Sequence, residues 1–276
     1  MKTKLLALLL CCFTLNVAAQ KKITHPTTPA PKTTPAPKAK TTPAPKTTPK
    51  PAPKTTPKPA YTAPVKHTGA TVSAATGTAG GHGYVNLGLP SGTLWATTNV
   101  GAKSPEAAGN YYAWGETTPK NRYDWDNYKY CQGTDDTMTK YCTTRERGKV
   151  DNKRSLEADD DAATANWGEG WRMPSSAQFD ELREICTWTW TAMNGKNGYK
   201  IVGPNGNSIF LPAAGARNES GTTTDLNEYG FYRTRTLDTS FSNGDRAANL
   251  VFYEDKPYKS ESTRDTGQTV RPIYEK

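Results

Sequence analysis

The chain has 276 residues, with 35 Lys and Arg against 26 Asp and Glu, a formal net charge of +9. All of that excess sits at one end: residues 1–80 hold 12 lysines and no acid, and residues 81–276 carry −3. A folded nucleic-acid binder clusters Lys and Arg inside its domain, so this distribution excludes that class of partner.

From the start of the chain, Lys2 and Lys4 precede the apolar run Leu5–Leu15, and Val17-Ala18-Ala19 supplies small residues before Gln20. Residues 1–19 have the pattern of a secretory signal, and Cys11 and Cys12 leave lipidation open as the alternative. Residues 20–80 follow with near copies of TTPAPK at 27–32, 33–38 and 41–46, then TTPKPAPK at 47–54. With almost nothing apolar to offset the entropy of ordering, this stretch is expected to be a disordered tether biased to polyproline II. Its lysines suit contact with an anionic envelope polymer or simple solvation. No other apolar run reaches the ~18 residues needed to cross a bilayer, so no transmembrane segment is expected in the mature chain. Secretion to the periplasm or the cell surface follows as the expectation.

Residues 81–276 then form one expected domain. Thr93–Thr97 has strand composition. Cys131 and Cys142 have matched settings, Tyr130-Cys131 and Tyr141-Cys142, around a polar loop, so a disulfide between them is expected in an exported protein. A short helix is expected near Asp159–Ala165, with Asp159-Asp160-Asp161 as its N-cap or, alternatively, as calcium ligands; the cap is the favoured reading because the EF-hand spacing is missing. Pro174 and Ser175 or Ser176 open a helix over 175–187, with Phe179, Leu182, Ile185 and Cys186 on one stripe. Strands are expected at Tyr199–Val202, Ser208–Leu211, Ala248–Tyr253 and Thr269–Ile273. Few helices, short strands and long aromatic loops indicate an α+β fold.

Chemistry is sparse. The histidines, His25, His67 and His82, lie in or beside the tether, so the core is expected to lack an imidazole for nucleophilic catalysis or metal ligation. Glu116, Asp124, Asp126 and Glu169 lie close in sequence to tryptophans, a pairing also found in sugar-cleaving clefts, but such residues are more often packing and solvated loop. No catalytic activity, metal or cofactor is expected. Arg172 suits an internal salt bridge better than a ligand carboxylate. Trp95, Trp114, Trp167, Trp171, Trp188 and Trp190 suit a core built from large side chains.

The phrases VNLGLPSGTLWATTNVGA (85–102), YYAWGET (111–117), ANWGEGWRMPSSAQFDEL (165–182), CTWTW (186–190), NGNSIFLPAAGARN (205–218) and TVRPI (269–273) occur in that order. Together they resemble the Fibrobacter succinogenes major paralogous domain, a family of exported Bacteroidota proteins similar to C-type-lectin-like domains. The resemblance covers nearly all of 83–274 and implies a lectin-like core with irregular loops above a twisted antiparallel sheet. Where family members often carry a Tyr-Trp-Ser-Ser type segment, this chain has Phe231-Tyr232-Arg233-Thr234-Arg235-Thr236. The resemblance implies that this region faces ligand, which makes Arg233, Arg235, Tyr253, Tyr258, Lys259, Glu261 and Arg264 the candidate binding residues. The expected function is a tethered binding or adhesion module for a glycan or protein at the cell surface. A structural envelope protein making its main contact through the basic tether is the alternative, and a glycan-cleaving enzyme comes third.

Overall fold

The computed structural model describes residues 69–239 and 244–276; the expected signal and the tether as far as residue 68 lie outside the described residues. These residues fall within one compact unit, Tyr61–Lys276. Its strands are β1 (Gly77–Ala79), β2 (His82–Asn86), β3 (Leu94–Ala96), β4 (Trp171–Arg172), β5 (Thr187–Met193), β6 (Lys196–Val202), β7 (Ser208–Pro212), β8 (Ala216–Arg217), β9 (Thr223–Thr224), β10 (Gly230–Leu237), β11 (Arg246–Phe252), β12 (Pro257–Thr263) and β13 (Ile273–Tyr274). The helices are α1 (Ala162–Trp167) and α2 (Ser176–Ile185). The strands form antiparallel sheets in the orders β1-β2-β3-β13-β4, β5-β6-β7 and β10-β11-β12, with a small β8-β9 pair.

Local chemistry sets the helix ends. Ser175 begins α2 with a capping box: its hydroxyl accepts from Gln178 N at 3.2 Å, and Gln178 Oε1 accepts from Ser175 N at 2.8 Å. Phe179 and Leu182 then point inward, while Ile185, expected on the same stripe, is 44% exposed. The helix stops at Ile185 because Thr187-Trp188-Thr189-Trp190 has the two-residue alternation of a strand, with its threonines outward and its indoles half-buried. Cys186 caps the helix and packs against the core, and burial, with Glu181 adding to it, pushes its thiol up to about 11. Asp161 caps α1 by accepting from Ala163 N and Thr164 N, and it also accepts from Met173 N, tying the helix to the strand after it. At the end of β7 the chain turns at Gly215, whose φ of +64° and closeness to the Thr224 carbonyl leave no space for a Cβ.

Large side chains form two packed clusters. One gathers Trp95, Phe179, Leu182, Tyr199, Ile209, Tyr232 and Phe252, and the other Trp114, Tyr128, Tyr130, Met138, Tyr141 and Trp171. Trp95, Trp114 and Trp171 are fully buried. His82 is within the fold: it lies in β2 and stacks on Trp167 at 3.9 Å and 6°, so the expectation of a core without imidazole is corrected. Burial lowers its pKa below the ordinary value, which favours the neutral ring.

The folded unit also begins before residue 81. Strand β1 pairs with β2, and Ser73 and Ser208 exchange bonds, Ser73 N to Ser208 Oγ at 3.2 Å and Ser208 N to Ser73 Oγ at 2.9 Å. A chain that starts at residue 81 should therefore be less stable than one that starts at 69. At about 1 kcal/mol per hydrogen bond, the loss should reach roughly 2 kcal/mol or more, a fall of about 4–8 °C in melting temperature. Equal melting of the two chains would remove residues 69–80 from the folded unit.

Candidate functional site

The β10-β11-β12 sheet holds most of the candidate residues, and its register divides them between two faces. Tyr232 pairs with Leu250 and Leu250 with Lys259, whereas Phe231 pairs with Val251 and Val251 with Tyr258. Since successive side chains alternate, Tyr232, Leu250 and Phe252 share one face. That face packs on α2 and the β5-β6-β7 sheet: Tyr232 lies 6.5 Å from Phe179, and Phe252 lies 5.4 Å from Tyr199. Gly230 also faces this side, where a Cβ would overlap the Phe252 ring.

Phe231, Val251 and Tyr258 occupy the other face, joined by Tyr229 and Tyr253 one step along their strands. Val251 is buried, and the four rings above it are half-buried. Tyr229 and Phe231 are nearly parallel, at 5.9 Å and 18°. Tyr253 lies 5.4 Å from Tyr229 at 38°, and Tyr258 stands at 75° to Tyr253, 6.2 Å away. The hydroxyls of these three tyrosines make no hydrogen bond among the described residues. By contrast, Tyr111, Tyr123, Tyr128, Tyr199 and Tyr232 all donate to backbone carbonyls. Burial pushes the Tyr258 hydroxyl above its ordinary pKa, and the neighbouring phenols of Tyr229 and Tyr253 add to the shift.

The structure thus brings Tyr253 and Tyr258 together and separates the rest of the expected set. Arg233 and Arg264 are both fully buried and are not available to a surface ligand, which corrects their assignment. Arg233 Nη2 donates to Thr263 O at 2.6 Å and Thr266 O at 2.5 Å, and burial pulls its pKa down to about 10, still charged at neutral pH. Arg264 donates to Tyr128 Oη and to the carbonyls of Lys140, Tyr141 and Gly244, with the rings of Trp114 and Tyr128 beside it. A third buried arginine, Arg271, donates to Asn99 Oδ1, Ala96 O and Phe210 O. Lys259 and Glu261 point to the packed side, where they pair with Asp180 at 3.5 Å and Arg246 at 3.9 Å. Arg235 lies toward the other end of β10 and pairs with Glu275 at 3.1 Å, and Arg172 approaches the same carboxylate at 3.9 Å. Tyr229 and Phe231 are absent from the expected set, although their i, i+2 spacing across the start of β10 puts them on one face.

Cys131 and Cys142 are free thiols, so the expected bridge is corrected. Each is engaged locally, Cys131 Sγ with Trp125 O at 3.1 Å and Cys142 Sγ with Thr144 O at 3.0 Å. Tyr141, at a φ of +58°, redirects the chain just before Cys142, and Asp151 accepts from both Tyr141 N and Cys142 N. Cross-linking is not what closes this loop.

Of the acids singled out near tryptophans, Glu116 accepts from Lys120 Nζ and Lys129 N, and Asp124 caps a short turn at Trp125–Asn127. Asp160 accepts from Lys129, Tyr130, Lys140 and Tyr141. No group of three or more His, Cys, Asp or Glu placed to hold a metal ion occurs among the described residues. An open depression of about 420 Å³ lies elsewhere, lined by Ser91, Thr93, Gln178, Tyr274 and Glu275; there Ser91 bonds to Thr93 and donates to Glu181. No helix among the described residues is long and apolar enough to cross a membrane. No family model, curated protein or solved structure matches the chain.

Proposed function

We propose that this chain is an exported, tethered, non-catalytic binding module of C-type-lectin-like fold, acting in the periplasm or at the cell surface on a glycan or protein ligand. The observation that carries the reading is the open row of Tyr229, Phe231, Tyr253 and Tyr258, in which three hydroxyls stay uncommitted on a domain whose other large side chains mostly pack or bond internally. Tyrosine gives broad, rigid contact area at little entropic cost, and its hydroxyl adds a directional bond. A second reading, a structural envelope protein held by its basic stretch, draws on the 12 lysines and the missing acids of residues 1–80.

A glycan and protein array probed separately with residues 69–276 and with residues 20–68 tests both. The binding module requires ligand capture by residues 69–276. Capture by residues 20–68 alone, abolished by added salt, would favour the envelope reading.

A further inference from the structure

We infer that the open aromatic face takes a neutral hexopyranose unit of a polysaccharide. This rests on the binding-module reading above and narrows its ligand to one class. An anionic ligand would need cations at the site, and the candidate cations are turned away: Arg233 and Arg264 are buried, Lys259 sits on the opposite face with Asp180, and Arg235 pairs with Glu275. The flanking loops add exposed acids, Asp225, Glu228, Glu254 and Asp255, against the single exposed Lys256, and these repel uronate or sulfate further.

What remains on the face is ring surface and phenol. A pyranose matches both, because its C–H face packs on an aromatic ring while its equatorial hydroxyls meet groups that donate and accept alike. The register sets Phe231 and Tyr258 on either side of Val251 and Tyr229 beside Tyr253, so the four rings stand around one spot of the face, where a sugar ring can meet several of them. Tyr258, upright at 75° to Tyr253, closes one side. Area weighs against a protein partner: half-buried rings of about 200 Å² each leave a few hundred Å² in all, against about 800 Å² per side in a stable protein interface.

Affinity electrophoresis of the full exported chain through gels containing hydroxyethyl cellulose, xylan, galactomannan or polygalacturonate tests the inference. Retardation by at least one neutral polymer is expected, and none by polygalacturonate. Tyr229→Ala and Tyr253→Ala should each weaken that binding about thirtyfold, and Tyr258→Phe severalfold through loss of its hydroxyl alone. Lys259→Ala on the opposite face should leave it unchanged, and circular-dichroism melting of all four variants should stay within a few degrees of the parent. Retardation by polygalacturonate alone, by no neutral polymer, or by a neutral polymer equally in parent and variants would overturn the inference. If the tyrosine variants instead lose a protein ligand found on the array, the sugar assignment falls and the binding module stands. Silence in both experiments removes both.

Discussion

Asp160→Asn is expected to cost about 2–5 kcal/mol of stability, because it leaves two donors around a buried acceptor without a partner at about 1–3 kcal/mol each. For a domain of this size that is a fall in melting temperature of roughly 4–20 °C. Asp160 is 4% exposed and takes four side-chain donors. Oδ1 accepts from Lys129 Nζ at 3.1 Å and from Tyr130 Oη, and Oδ2 accepts from Lys140 Nζ at 2.5 Å and Tyr141 Oη at 2.6 Å. Burial alone would raise its pKa, but these bonds, Lys140's foremost, hold it well below the usual carboxylate range. An asparagine offers one acceptor oxygen and turns an amide toward the donors on the other side, so two of the four lose their partner.

The same geometry fixes the pH dependence. Unfolded aspartate titrates near about 3.9 and folded Asp160 well below it, so its contribution is complete above about pH 5 and is withdrawn as the pH falls below about 4. Tyr130 and Tyr141 are displaced upward, by burial first and then by the Asp160 carboxylate, and so their contribution fails only on the alkaline side. Melting followed from pH 7 down to pH 3 should show a steep acid limb in the parent and a shallower one in Asp160→Asn. A variant within about 1 kcal/mol of the parent at pH 7, or an acid limb of unchanged slope, would show that the network carries little energy.

Much of this architecture was legible because it depends on neighbours in the chain. Pro174-Ser175 followed by Gln178 announces a capped helix, Asp161 before Ala162 and Ala163 announces another, and the tryptophans announce a core. What stayed hidden depends on register and depth. Arginine is almost always exposed, so sequence alone places Arg233 and Arg264 on a surface. In the fold, backbone carbonyls of two distant segments, Lys140-Tyr141 and Gly244, converge on Arg264, a contact that no local pattern encodes. The aromatic cluster depends in turn on pairing Phe231 with Val251 and Val251 with Tyr258, which brings residues of three strands together. One slip in that register would turn every ring inward. Cys131 and Cys142 misled because matched flanking tyrosines suggest equivalence, while Tyr141 bends the chain away.

Arg264→Met should be about as damaging as Asp160→Asn, and the two losses should not add. The guanidinium donates to Lys140 O at 3.0 Å, Tyr141 O at 3.2 Å and Gly244 O at 3.1 Å, and to Tyr128 Oη at 2.9 Å. Methionine fills the volume and supplies no donor, which orphans three carbonyls at about 1–3 kcal/mol each, so a loss of roughly 4 kcal/mol or more is expected from urea midpoints. Arg264→Lys keeps the charge but cannot span three acceptors with one ammonium, and it should recover less than half of the loss. The coupling to Asp160 has a defined route. Arg264 holds the backbone of Lys140 and Tyr141, whose side chains are two of the four donors to Asp160, so releasing either anchor loosens the segment that the other grips. Residues that share partners in this way typically show interaction energies of about 0.5–3 kcal/mol in a double-mutant cycle. The double variant should therefore be more stable than the sum of the single losses implies. Strict additivity would show that the two anchors act on independent parts of the cluster, and a loss below about 1 kcal/mol for Arg264→Met would return this arginine to the pool of residues free to serve a ligand.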